Sequence, residues 1–251
     1  MNSYDRFARL YDLEHKDFLE DIDLYRNFSM RCNGPVLELG CGSGRVALAL
    51  AQAGMDVVGI DISEAMLALA RTHAEEQGLL DKVRLEWGDM RALAFQEAFA
   101  LVLCPLNGFL HLETAQDQQA ALDGIHRALL PGGFVLVDVS NPHTVFTPDL
   151  DGQLVFRRQL DGPEGTGLSI WAMTRTDLAP QVQNLTLVYD RVGGAGLVHR
   201  TTVDTKLRFV YRYEMEGLLR RSGFKLDAVY GTYDLDPYES DSHVMLFVAH
   251  K

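Results

Sequence analysis

Cysteine is scarce in this chain: three residues, at positions 32, 41 and 104. The number is odd and no pair shows C-x-x-C spacing. This excludes a disulfide framework and a thiolate metal site, and it places the chain in a reducing cytoplasm. Positive charge is also short, with 23 Lys and Arg against 35 Asp and Glu and a formal net charge of -12. A polynucleotide partner calls for a basic field, so no nucleic acid is expected. The basic pairs Arg157-Arg158 and Arg220-Arg221 read as solvated faces. No apolar run approaches the roughly 18 residues that a membrane span needs. The opening MNSYDRFARLYD lacks the apolar centre of a signal peptide. No Cys/His/acid spacing suggests a metal.

What is present is a chain of 251 residues that is 47% hydrophobic, enough for a substantial core. Its most specific stretch is VLELGCGSGRV at 36–46. A short apolar strand carries one acid, Glu38, into glycines at 40, 42 and 44, and an apolar helix follows. Glycine permits positive φ and lets a ligand lie against the backbone. The helix N-terminus offers unpaired N–H groups. The dinucleotide fingerprint wants a third small residue where Arg45 stands.

The alternation continues. MDVVGIDIS reads as a strand ending in Asp61, and Ser63 can cap the helix that runs to about Gly78. KVRLEWGDM is a strand ending at Gly88-Asp89, and AFALVLCPL is a fully apolar one. Thr114 and Asp117 form a capping pair for the next helix, Pro131-Gly132-Gly133 breaks it, and FVLVDVSNP is a fifth strand. Upstream, Phe18, Ile22 and Tyr25 predict one helix over 13–31. After about residue 150 the texture changes. LVFRRQL, LSIWAMTRTDL, QVQNLTLVYDRV and LVHRTTVDTKLRFVYRY are long and often alternate, with turns at Gly-Pro-Glu-Gly, Ala-Pro-Gln and Gly-Gly-Ala-Gly. They predict antiparallel strands. A short helix at 214–221 precedes FKLDAVYGTY and HVMLFVAHK, a closing hairpin.

Together, VLELGCGSG, VVGIDIS, WGDM and LLPGGFVLVD stand in the order and spacing of class I S-adenosylmethionine-dependent methyltransferases, which the chain resembles. The resemblance implies an α/β, Rossmann-like doubly wound, mostly parallel sheet with an antiparallel closing hairpin and an inserted antiparallel sheet. Residues 1–150 and 214–251 would form the cofactor-binding domain, and 151–213 an insertion covering the active site. The implied cofactor is S-adenosyl-L-methionine. Its ribose hydroxyls suit Asp61, and its adenine amine suits Asp89 between Ile62 and Met90. Its tail suits the Gly40-Cys41-Gly42 turn, with Glu38 accepting within the loop or from the ammonium and Arg31 on the carboxylate. Tyr11, Met66, Gly88 and Pro105 complete that pocket.

PLNGFLHL, at 105–112, resembles a segment of glycine N-methyltransferase and of the amino-sugar N-methyltransferases. On that likeness Asn107 and His111 stand near the transferred methyl, with His111 able to take a proton near neutral pH. Gly108 departs from the serine of that segment. The expected function is methylation of an N or O atom of a small molecule, by a monomer or homodimer. An NAD-dependent oxidoreductase and a non-catalytic S-adenosylmethionine-binding module remain as rivals.

Overall fold

The computed structural model describes residues 3–162, 166–193 and 196–251. After a 3-10 turn at Ser3–Arg6 come helices Ala8–His15 (α1) and Ile22–Cys32 (α2). The single helix expected over 13–31 is therefore two. The break at 16–21 is used for docking: the Phe18 carbonyl accepts from Arg45 Nη1 at 2.8 Å, and the buried Asp21 carboxylate takes the same guanidinium at 2.5 and 2.7 Å. A continuous helix would withdraw that carbonyl into its own ladder.

The alternating region forms as its pattern predicts. Strands are Val36–Leu39 (β1), Val57–Asp61 (β2), Val83–Trp87 (β3), Phe99–Cys104 (β4) and Leu129–Ser140 (β5). Helices Arg45–Gln52 (α3), Glu64–Glu76 (α4) and Ala115–Ala128 (α5) connect them. Both expected caps are present. Ser63 Oγ accepts from the Met66 N–H, and Thr114 Oγ1 accepts from the Asp117 N–H while donating to its carboxylate. A one-turn helix at Pro142–Val145 (α6) follows.

The second texture begins at Leu154–Asp161 (β6) and continues through Gly167–Asp177 (β7), Val182–Val192 (β8) and Val198–Arg208 (β9), an antiparallel sheet in that order. The expected turns at 162–165 and 193–196 lie partly outside the described residues. Arg212–Arg221 (α7), Lys225–Tyr230 (β10) and Val244–His250 (β11) close the chain. The large sheet runs β10-β11-β5-β4-β1-β2-β3. Its first five strands are parallel, and β11 enters antiparallel between β5 and β10, so the closing hairpin is as expected.

Helices on both faces make the central strands apolar throughout. Leu37, Leu39, Val102 and Val135 face one core with α5 and α7. Val36, Leu101, Leu103 and Leu136 face the other with α2 and α3. The four-stranded sheet packs Leu168, Ile170, Tyr189 and Val203 on Phe7, so its inner face meets the N-terminal segment. Among the described residues no helix is long and apolar enough to cross a membrane.

Candidate active site

Parallel strands β1, β2 and β4 end on one edge, where the connections diverge and leave a crevice. There the protein has a cavity of about 900 Å³. Its floor is the turn after β1. Gly40, Gly42 and Gly44 all hold positive φ, at 68°, 55° and 89°. A Cβ built on Gly42 meets nothing within 4 Å, whereas one on Gly44 would press Ala70 and Leu48 at 3.2 Å. Gly44 thus serves helix packing, while Gly42 leaves backbone open to a ligand.

Asp61, at the end of β2, fixes this turn. Its Oδ2 accepts the Gly42 N–H and its Oδ1 the Ser63 N–H, both at 2.8 Å. Burial raises its pKa above the usual carboxylate range, against those backbone donors, and Asp5 nearby pushes the same way. Each oxygen keeps acceptor capacity toward the cavity. Asp5 itself accepts from Ser63 Oγ at 2.7 Å, which docks the N-terminal turn on the start of α4.

Glu38 sits deeper, in the middle of β1. It is buried, lines the cavity, and its Oε2 has no hydrogen-bond partner. Burial pushes its pKa up to about 8, opposed by Arg45 and by the Ala47 N–H. An orphaned acceptor beside an open glycine turn fits a ligand that brings an ammonium donor.

The residues expected at the purine end also lie together. Ile62, Met66, Gly88, Asp89 and Met90 line the cavity. Asp89 is not idle there. Arg91 grips its carboxylate through Nε at 3.0 Å and Nη2 at 2.6 Å and holds its pKa below the usual range. Exposed Trp87 also reaches this wall, its Nε1 donating to the Ile62 carbonyl at 3.0 Å.

Tyr11, Cys41, Pro105 and His111 line the cavity as expected. Two expected residues do not. Arg31 is exposed on the last turn of α2 and borders a separate depression with Tyr233. The guanidiniums brought to the cavity are those of Arg45 and Arg91. Asn107 turns away: its Oδ1 accepts from the Ser140 N–H at 2.6 Å and from Ser140 Oγ at 2.9 Å. It fastens the loop and does not face the cavity. His111 differs in character from the expectation. It is half-buried, its Nε2 lies 3.0 Å from the Tyr4 hydroxyl, and desolvation lowers its pKa to about 4. It is neutral at pH 7 and a weak base.

The roof differs in origin from the expectation too. The N-terminal segment contributes Tyr4, Asp5, Tyr11 and His15, while the four-stranded sheet contributes Thr205 and Lys206. The sheet mainly backs that segment. Tyr189 donates to Glu14 at 2.7 Å and Arg158 to the Glu14 carbonyl at 2.8 Å. The sequence signal for this strap was available in Tyr4, Phe7 and Tyr11, spaced three and four apart on one face.

Comparison with known proteins agrees with this geometry. Residues 36–133 match the family model of a methyltransferase domain. The chain is an S-adenosylmethionine-dependent methyltransferase. It is 29% identical over 214 residues to a cypemycin N-terminal methyltransferase from a Streptomyces species, covering 85% of this chain and 81% of that one. It is 36% identical over 106 residues to a ubiquinone biosynthesis O-methyltransferase of Pseudomonas aeruginosa, covering 42% of this chain and 44% of that one. Among solved structures, an S-adenosylmethionine-dependent methyltransferase from Clostridium acetobutylicum superposes with a TM-score of 0.80 at 19% identity, covering 99% of both chains. This last likeness concerns the fold. The comparisons do not favour either rival kept open above, the oxidoreductase or the non-catalytic module.

Proposed function

We propose that this methyltransferase acts on a nitrogen of a small-molecule amine. The observation that carries the reading is the state of His111. An oxygen acceptor must lose a proton as it attacks, so it needs a positioned base. The histidine on this cavity wall is half-buried, bonded to Tyr4, and has its pKa lowered to about 4. A neutral amine needs no such base, because its lone pair is free before transfer and its proton leaves afterwards.

When bound, S-adenosylmethionine supplies a methyl group on a positively charged sulfur, whose departure as a neutral thioether needs no acid. The chain's own residues then have three tasks. Glu38 and the open Gly42 backbone hold the tail, with Asp61 at the ribose and Ile62 and Met90 at the adenine. The Tyr4–His111 pair orients the acceptor. The N-terminal segment keeps water from the reacting atoms. Glu64 and Glu113 on the cavity wall, in a chain of net charge -12, draw a cationic amine from solution before it sheds its proton. Arg45 and Arg91, on the same wall, are paired with Asp21 and Asp89.

The similarity to a methyltransferase named for an N-terminal acceptor supports a nitrogen target. We further infer a division into a cofactor-binding body, 1–150 and 214–251, and an insertion, 151–213. The two separate sheets support it. Free thiols at all three cysteines suit a reducing cytoplasm. The test is incubation with S-adenosylmethionine and matched panels of amines, phenols and alcohols, read by mass spectrometry. Methylated amines alone are the expected result, and methylation confined to hydroxyl compounds would overturn the nitrogen assignment.

A further inference from the structure

One buried acid outside the cavity has no part in the scheme above. Asp138, near the end of β5, is 2% exposed. Its Oδ2 alone accepts three bonds: from the Leu106 N–H at 3.1 Å, the Tyr233 hydroxyl at 2.9 Å and the Tyr25 hydroxyl at 3.3 Å. Its main-chain carbonyl accepts the Asn107 N–H at 3.0 Å. Both partners in the loop after β4 hold positive φ, Leu106 at 44° and Asn107 at 64°. Two successive left-handed residues that are not glycine are uncommon, and a branched leucine is a poor occupant of that region. Such a turn persists where its surroundings over-determine it. Here the surroundings are Asp138 on one side and Ser140, bonded to Asn107 Oδ1, on the other.

The turn has a direct consequence for the site. It launches the 3-10 turn Gly108–His111, whose Leu110 N–H returns to the Asn107 carbonyl at 2.8 Å. Pro105, Leu106, Gly108 and His111 face the cavity, so the dihedrals at 106 and 107 set where the imidazole meets Tyr4. Tyr233 adds a second link, since it carries the segment between β10 and β11 to the same oxygen.

We propose that Asp138 is a positioning residue: its carboxylate holds the strained Leu106–Asn107 turn and thereby fixes His111 against Tyr4 at the acceptor side of the cavity. The acceptor-side meaning rests on the methyltransferase reading, while the coupling of Asp138 to His111 does not. Groups facing Asp138 are Tyr25 from α2, Tyr233, Cys104 from β4 and the more distant Asp21, and burial raises its own pKa to about 6. His111 is faced by Tyr4.

The test needs no acceptor. Asp138→Ala and Asp138→Asn are compared with wild type by amide hydrogen exchange and by histidine NMR between pH 5 and 8. In Asp138→Ala, the Leu106 amide should exchange roughly 10- to 150-fold faster, the factor for a lost bond to a charged acceptor, while the Asn107 amide keeps its bond to the main-chain carbonyl of residue 138. His111, with its pKa lowered to about 4 in wild type, should titrate nearer the ordinary value of about 6.5. Asp138→Asn keeps one acceptor oxygen and should restore both signatures. An unchanged His111 titration in Asp138→Ala, equal acceleration throughout the protein, or failure of the Asn variant to rescue would each overturn the proposal. Calorimetry of wild type with S-adenosylhomocysteine runs alongside. Absence of binding there would count against the methyltransferase reading and leave the Asp138–His111 result to stand by itself.

Discussion

Replacing Glu38 by Gln should make the unliganded protein more stable and the cofactor complex weaker. Glu38 is buried on β1 with one oxygen unpartnered, and its pKa rises from 4.5 to about 8. A carboxyl whose folded pKa lies above its unfolded one binds more protons folded than unfolded. Stability therefore falls as pH rises from about 4.5 to about 8, and levels beyond. At about 1.36 kcal/mol for each pH unit above 4.5, the side chain costs at most roughly 3 kcal/mol at pH 7. Water entering the open cavity reduces this to about 1–3 kcal/mol, since penetration softens the desolvation of a buried ion. The neutral amide escapes that cost, and for a chain this long each kcal/mol is worth about 2–4 °C in Tm. Binding moves the other way. An ammonium loses its charged acceptor, at about 1.5–3 kcal/mol, or roughly 10- to 150-fold in Kd. The assays are thermal melts across pH 5–9 and calorimetry with S-adenosylhomocysteine. Wild type should lose stability relative to the variant from pH 5 to 8. Its affinity should rise over the same range until the ligand's own amine deprotonates near pH 8. A Gln variant that is less stable at pH 7, or that binds as tightly as wild type, would refute the argument.

Asp61→Ala should weaken S-adenosylhomocysteine binding roughly 10- to 150-fold, because the Gly42 turn and the ribose both lose a charged acceptor; unchanged affinity by calorimetry would sink the assignment. Arg31→Ala should leave that affinity at the wild-type value, since Arg31 borders a different depression; a large loss would return the tail carboxylate to Arg31. Arg45→Ala should lower thermal stability substantially, by about 3–5 kcal/mol, because it strands the buried Asp21 carboxylate; a wild-type melting curve would contradict this.

The parallel sheet was legible because each of its signals is local. A glycine turn, a strand-end acid and a capping serine lie within a few residues of one another, and burial of both sheet faces leaves near-continuous apolar runs such as LVLC. Asp61 could be found this way because its partners, Gly42 and Ser63, belong to the same strand-turn-helix logic. The division of residues 13–31 could not. Phe18, Ile22 and Tyr25 keep a helical period in sequence, but the chain breaks between them to offer Phe18 O and Asp21 to Arg45, a residue 24 positions beyond Asp21. A tertiary ion pair outweighed the local period.

The acceptor side resists sequence reading for a related reason: its determinants come from opposite ends of the chain. Tyr4 meets His111, Glu14 meets Tyr189, and Asp138 gathers Tyr25 and Tyr233. None of these pairs has a spacing that a period or a motif could report. They also decide the chemistry. His111 read alone is a base near neutral pH, whereas under Tyr4 and the strap it is a half-buried neutral ring with its pKa lowered to about 4. Asn107 read alone is a polar group beside the methyl, whereas above Ser140 it is a clamp on a strained turn. The glycine-turn half of the cavity is therefore encoded by adjacent residues, and the His111 half by how the N-terminal strap packs on α4, β9 and the turn that carries His111. On the proposed function, substrate choice would change through the strap and the antiparallel sheet behind it while the glycine turn and Asp61 stay as they are.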